Sequence, residues 1–292
     1  MNFFQLKNRI AIQKDKMILS GFALLFCISN TSAQNTFPDI VKTKEGKLSH
    51  TADNQGNQIP DFSYAGYMSS EKAIPNVANK IFVPKQEEDA TQKIQLAIDY
   101  VSNLKPDKSG FRGAVLLDKG TFKISGTLYI KKSGVVLRGS GNSENGTILL
   151  GTGLEREALI RVLGVDDRKY GETLEFNNVY TPLGTQKIQL KNASKLKVAD
   201  EISISRPLTD NWIKELNMQD FGGETSWIGW KKDGWDIVWN RVVTKINGNE
   251  VTLNAPLTMA LDAVYGVSKV TTYTWEGRIE QIGIENILMK ST

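Results

Sequence analysis

The sequence predicts an all-β solenoid whose N-terminal end is closed by one capping α-helix. Three observations predict it. From residue 113 onward the chain breaks into short β-rich runs divided by Gly and Asn. One amphipathic helical pattern stands immediately before the first of those runs. No further helical pattern separates them, which sets an α/β fold aside. Runs this short, with turns this frequent, fit a sandwich, a barrel or a solenoid. The helix favours the solenoid, because a stack of parallel strands leaves an open edge at its end that has to be covered.

The elements follow in order. Residues 1–16 are basic and polar, 17–28 form an apolar run too short to span a bilayer comfortably, and Thr31-Ser32-Ala33 precedes Gln34. This is the pattern of a secretory signal peptide, so 1–33 is expected to be removed and the protein exported to the periplasm or beyond. A membrane anchor is the alternative. Residues 34–88 read as an extended arm, with a turn cluster at Asp53–Asn57 and aromatic rings at Phe62, Tyr64 and Tyr67 expected to pack on the body. Across 89–104, Ile94, Ala97, Ile98, Val101 and Leu104 recur at helical spacing, with Asp89 as N-cap and Pro106 as the stop. The expected strands are 114–117, 120–124, 127–130, 134–137, 147–150 and 158–162. They continue with 187–190, 201–205, 241–246, 250–253, 267–273 and 284–289. Residues 89–292 are thus read as one solenoid domain. Its last run, Ile284–Met289, has no closing cap, which predicts an N-terminal piece of a longer protein.

Charge and side-chain inventory exclude much. Without residues 1–33 the chain carries 32 basic and 31 acidic groups, too balanced for nucleic-acid binding. There is one cysteine, Cys27, inside the signal segment, and one histidine, His50, in the polar arm. A disulfide framework, a Cys/His zinc site and a Cys–His nucleophile are therefore excluded, and a Ser-His-Asp triad is disfavoured. Chemistry would fall to carboxylates, Lys, Arg or Tyr.

The stretch Asp89-Ala90-Thr91, Ile94-Gln95, Ala97-Ile98-Asp99, then Gly113–Ile124, Leu128–Ile130, Gly134–Gly141 and Gly146–Leu149 resembles the N-terminal coils of the pectate-lyase-like superfamily. The resemblance covers roughly 89–150 and continues weakly through Asn247-Gly248-Asn249 and Val251–Leu257. It implies a right-handed parallel β-helix. That superfamily holds polysaccharide lyases, glycoside hydrolases, esterases and non-catalytic spike proteins, so the likeness does not choose among activities. Gly120-Thr121-Phe122 fits a tight corner between two strands, and Gly139 and Gly141 fit corners that need positive φ.

The most unusual segment is 206–241, read as an insertion projecting from the coil wall. It holds five of the six tryptophans. Trp212, Trp227, Trp230 and Trp235, with Arg206, are the expected substrate-binding residues: an indole stacks on a sugar's C–H face while charged groups bond its rim. The competing reading places these rings in the core of a large loop. Asp233 and Asp236 form the best acidic pair for a glycosidase, although spacing in a loop fixes no distance. For a lyase, Lys231 crowded by Lys232 and Arg241 could serve as base. Asp166-Asp167-Arg168 reads as a loop ion pair, with Ca²⁺ ligation as the minor alternative and Ca²⁺ the one cofactor to consider. The expected function is an exported protein cleaving an acidic or plant-type polysaccharide, by lyase or hydrolase chemistry. The alternatives are a non-catalytic glycan-binding or adhesive β-helix protein, and an esterase.

Overall fold

The computed structural model describes residues 41–44, 47–222, 228–232 and 234–292. The expected signal segment 1–33, Trp227 and Asp233 lie outside the described residues. The chain divides into two compact units at Ile59/Pro60. In the first, β1 (Val41–Lys44) and β2 (Lys47–His50) pair antiparallel. The expected turn cluster follows: the Asp53 carboxylate accepts the amides of Gln55 and Asn57, each at 2.8 Å.

The second unit is mostly β, with parallel and antiparallel sheets in different stretches of chain. Its parallel part starts earlier than the sequence reading placed it. Strand β3 (Asn79–Val83), assigned above to the arm, precedes helix α1 (Thr91–Ser102). After the helix come β4 (Gly113–Leu117), β5 (Gly120–Ile124), β6 (Leu128–Ile130), β7 (Val135–Arg138), β8 (Thr147–Gly151) and β9 (Ile160–Val162). They pair in parallel as β3–β4–β7, β5–β8 and β6–β9. Runs such as Ala114-Val115 and Val135-Val136-Leu137 are buried without alternation, as strands covered on both faces must be. Helix α1 buries Ile94, Ala97, Ile98 and Val101 into the core they share with Phe122, Leu137 and Leu149. Its N-cap is Ala90, not Asp89. The Asp89 carboxylate instead accepts the Thr91 hydroxyl at 2.8 Å and the Ser125 amide at 2.9 Å, tying the helix start to the end of β5.

Between residues 163 and 282 the chain leaves this pattern, and here the single-solenoid expectation for 89–292 is corrected. Strands β10 (Lys169–Glu175), β12 (Lys187–Gln189), β13 (Glu201–Arg206), β14 (Ile237–Asn247), β15 (Glu250–Leu253) and β17 (Lys269–Thr274) form one antiparallel sheet. Its order is β10–β17–β13–β14–β15–β12. Two short strands, β11 (Tyr180–Thr181) and β16 (Leu261–Asp262), pair separately. The Asn247-Gly248-Asn249 turn, through which the resemblance above weakly continues, is a hairpin that reverses the chain between β14 and β15. This sheet has its own core, built on Ile202, Ile204, Trp239, Val243, Val251 and Val270.

The chain then returns. Strand β18 (Gly283–Glu285) joins β7 in parallel, and β19 (Ile287–Ser291) joins β8. Residues 163–282 are thus an excursion between consecutive members of the parallel ladders, with entry and exit stitched together. The Val165 amide donates to the Gly277 carbonyl at 3.0 Å, and the Trp275 indole N–H donates to the Val165 carbonyl at 2.7 Å. On return, the Arg138 guanidinium meets Glu285 at 2.5 Å and donates to the Val77 carbonyl at 2.8 Å. Gly139 serves this return through space rather than positive φ: a Cβ there would lie 2.2 Å from the Asn286 carbonyl oxygen. Of the arm's aromatics, Tyr67 donates its hydroxyl to the Gln281 side chain at 3.0 Å, whereas Phe62 is 67% exposed and does not pack as expected.

Candidate functional site

Strand β13 ends on Arg206, and its geometry decides what that residue can do. Ile202, Ile204 and Arg206 share one face by the two-residue period, so the arginine follows the isoleucines inward. It is 3% exposed. Its guanidinium carbon sits 4.0 Å over the Trp212 ring and Nη1 reaches the Met259 sulfur at 3.0 Å, while Nε has no partner. Burial pushes its pKa down, partly opposed by the Asp262 carboxylate.

After Pro207 the chain forms a short helix, α2 (Asp210–Glu215). Thr209 caps it, accepting the Trp212 amide, and Asp210 and Lys214 suit its two ends. Its C-terminus closes as a Schellman motif on Asn217, which has φ +54. The Met218 amide reaches the Ile213 carbonyl at 2.9 Å and the Asn217 amide the Lys214 carbonyl at 3.0 Å. This compact turn buries Trp212 and Ile213 beside Leu208 and returns the chain so that the Trp230 amide donates to the Met218 carbonyl at 2.8 Å.

The result is an aromatic ladder running from core to surface. Trp212 is buried, and Trp230 lies half-buried 6.0 Å from it, tilted by 50°. Trp235 meets Trp230 edge-to-face at 5.4 Å and 69°, and is 50% exposed. Edge-to-face pairs are worth about 0.5–1.5 kcal/mol beyond their buried area, so the outer ring is held in place by the inner ones. Lys231, Lys232 and Asp236, its neighbours in sequence, are exposed, with Lys232 lying 3.6 Å from Asp210.

The sequence reading therefore divides. Trp230 and Trp235 reach the surface as a substrate platform requires. Trp212 and Arg206 do not: they are the buried support. Arg241, expected to take part in chemistry, is committed to the backbone. It donates to the carbonyls of Ala255 at 3.0 Å, Asn240 at 2.9 Å and Pro256 at 2.7 Å. Burial pushes its pKa down. Trp239 is core, donating its indole N–H to Thr258 at 2.9 Å.

A scan against protein-family models finds no match, and a search of the curated proteins finds none either. Solved structures give three likenesses. One is the tailspike Gp54 of Acinetobacter baumannii bacteriophage AP22 in complex with A. baumannii capsular saccharide. It has 9% identity and a TM-score of 0.36, covering 70% of this chain and 27% of that one. The tailspike gp61 of Pseudomonas phage phi297 has 11% identity and a TM-score of 0.32, covering 67% and 26%. The tailspike protein gp49 of Pseudomonas phage LKA1 has 17% identity and a TM-score of 0.31, covering 62% and 24%. This chain thus spans about a quarter of their length, and scores this low carry no argument about its fold or function.

Elsewhere, the Asp166–Arg168 ion pair forms as expected, with Nε to Oδ1 at 2.8 Å, and Asp167 accepts the Gly277 amide at 2.8 Å. Both carboxylates are thus engaged by protein donors, which leaves the Ca²⁺ reading without support. Among the described residues no three or more His, Cys, Asp or Glu side chains gather, and no helix is long and apolar enough to cross a membrane. Sequence reasoning missed Trp275, which has Arg168 over its ring at 4.7 Å and Arg278 at 5.4 Å. Its signal was available: Trp275 is the one tryptophan outside 206–241.

Proposed function

We propose that this chain is part of an exported, polysaccharide-binding protein of the right-handed parallel β-helix type, and that its tryptophan ladder ends in a platform for a sugar ring. One observation carries the reading: Trp235 remains half exposed although Trp230, itself packed on Trp212, holds it edge-on. Exposing an indole on a fixed support forgoes burial worth a few kcal/mol, about 2–3 for a ring of this size. A ligand with an apolar face recovers it, and a pyranose offers such a face with hydroxyls at its edge for Lys231, Lys232 and Asp236. The parallel ladders β3–β4–β7–β18 and β5–β8–β19 support the coil architecture. The basic, apolar and small-residue succession over 1–33 supports export.

Binding is favoured over cleavage by the fate of the residues expected to do chemistry. Among the described residues Arg241 is spent on three carbonyls, and Lys231 and Asp236 are exposed, with no described element excluding water from a reacting bond. The test is titration of a panel of neutral and acidic polysaccharides with product detection in the same samples. Saturable binding without product is expected, weakened about tenfold or more by Trp235→Ala, the scale of an aromatic anchor's loss. Release of shortened chains would return the protein to the lyases or hydrolases, and absence of binding across the panel would end the glycan reading.

A further inference from the structure

Strand β13 has two ends. Arg206 and the tryptophan ladder occupy one; Glu201 at the other lines a groove of about 450 Å³, within the ~300–1,000 Å³ typical of small-ligand sites. Its walls include Lys169 and Tyr170 from β10, Tyr273 from β17, and Lys195 and Lys197 from the turn before β13.

The groove is shaped by backbone irregularity. Tyr170 pairs with Tyr273 and Thr173 with Thr271, so Gly171 and Glu172 together oppose Thr272 alone. This is a β-bulge, a device that re-aims a side chain and occurs often beside binding sites. Glycine here leaves room for a neighbour: a Cβ at Gly171 would lie 2.5 Å from the Thr272 hydroxyl, which would have to turn away. Between the lining residues Lys197 and Asp200, Ala199 has φ +77, a conformation that costs a non-glycine residue and is held here by bonds on both sides. The Ala199 amide donates to the Val243 carbonyl at 2.8 Å, and the Asp200 carboxylate accepts the Lys197 amide at 2.8 Å.

Tyr273 is buried and Tyr170 is 59% exposed, their rings 6.5 Å apart and tilted by 58°. The groove thus has an aromatic floor with one open ring. The charges are not fully paired. Glu201 is met by Arg278 at 3.6 Å, and Lys195 by Glu172. Lys169 and Lys197 have no ion-pair partner among the described residues, and Asp200 is the one lining carboxylate that no cation meets. A single anionic group would therefore find two ammonium groups and an aromatic face within one concave surface.

We propose that this groove is a second binding site, separate from the tryptophan platform, for one sugar unit bearing a carboxylate or a sulfate. The ring's C–H face stacks on Tyr170, and its anionic group lies between Lys169 and Lys197. Arg278 donates to the Tyr273 hydroxyl at 3.3 Å and forms an ion pair with Glu201 at 3.6 Å, which offsets that carboxylate's charge.

The test uses the chain as it stands and ligands too short to span both ends of β13: digalacturonate, a sulfated disaccharide and neutral galactobiose, titrated calorimetrically at low and moderate salt. The acidic disaccharides should bind and the neutral one at least about tenfold more weakly, with affinity falling as salt rises. Comparing the two acidic probes tells carboxylate from sulfate. Tyr170→Ala, at an exposed position, and the Lys169→Ala/Lys197→Ala pair should each weaken acidic binding about tenfold or more. Lys105→Ala removes the same charge elsewhere and should leave it unchanged. The inference falls if galactobiose binds as tightly, if neither acidic probe binds, or if the groove variants leave affinity intact. It falls equally if Trp235→Ala abolishes disaccharide binding while Tyr170→Ala does not.

Discussion

The parallel ladders and the antiparallel sheet are made from similar material, short runs of Val, Ile, Leu and Thr between Gly and Asn, yet they serve different ends. In β4, β7 and β8 most residues are buried without alternation, and each strand pairs in register with a parallel neighbour. In β15 buried and half-exposed residues alternate, leaving one face of the strand for other uses, and β17 buries only Val270 and Tyr273 of its six residues. Both aromatic features, the tryptophan ladder and the Tyr170–Tyr273 pair, belong to the antiparallel excursion. A ladder buried on both faces offers no side chain to a ligand except at its corners. A sheet with a free face and long connections does, which is the usual division between scaffold and loop.

The largest expected effect separates the two cores. Phe122 lies at 0% exposure in the parallel core and Ile204 at 0% in the antiparallel one. Phe122→Ala should cost about 3–5 kcal/mol and Ile204→Ala about 2–5 kcal/mol. All six tryptophans fall between 212 and 275, so their fluorescence reports the antiparallel region alone, while far-UV circular dichroism reports both. Phe122→Ala should lower the dichroism transition and leave the fluorescence transition nearly in place, and Ile204→Ala should do the opposite. Equal shifts of both signals in both variants would show one cooperative unit and dissolve the comparison.

The same contrast explains what could be read from sequence. The strands themselves were legible: 120–124 and 250–253 fall where expected, and most others within two or three residues. The expectation of parallel pairing is met where the apolar runs are unbroken. Its failure over 187–273 has a physical cause, since strand composition carries no statement of which partner it pairs with, or in which direction. The direction had traces in the alternation of Glu201-Ile202-Ser203-Ile204-Ser205 and in the reversing turn at Gly248. Strand β10 was missed because Lys169-Tyr170-Gly171-Glu172 is polar and interrupted by a glycine at its bulge. Of the site, the tryptophan cluster was visible by count, but burial was not. That Arg206 points inward follows from counting back in twos to Ile202, whereas the commitment of Arg241 to Ala255 and Pro256 depends on a chain reversal no local pattern announces.

A smaller effect tests how the chain rejoins the ladder. Gly139→Ala places a methyl against the Asn286 carbonyl, and the backbone has to move apart. Overpacking of this kind costs about 1–3 kcal/mol. It should be local: amide hydrogen exchange should quicken across Ile287–Ser291 while Ile202–Ile204 in β13 keeps its protection. Unchanged exchange in β19 would mean that the return strands are held by something other than the fit at this corner.

The smallest effect is a pH dependence confined to the parallel region. Burial works against the Asp89 carboxylate, but hydrogen bonds from Thr91 and Ser125 outweigh it and hold its pKa below the usual carboxylate value. A depressed folded-state pKa means that the unfolded chain takes up the proton first on acidification. The stabilisation is complete above the unfolded value near ~4 and is lost as pH falls through the folded one. Asp89→Asn keeps an acceptor for Ser125 but has no charge to lose. It should therefore start less stable at pH 7 and lose less between about pH 5 and pH 2, so that the wild-type and variant melting curves converge in acid. The convergence should appear in dichroism and not in tryptophan fluorescence, because the exposed ion pairs of the antiparallel sheet, such as Lys191–Glu175, are untouched by the change and contribute little. A constant gap between the two proteins across that pH range would show that Asp89 fastens the helix by shape alone and not by charge.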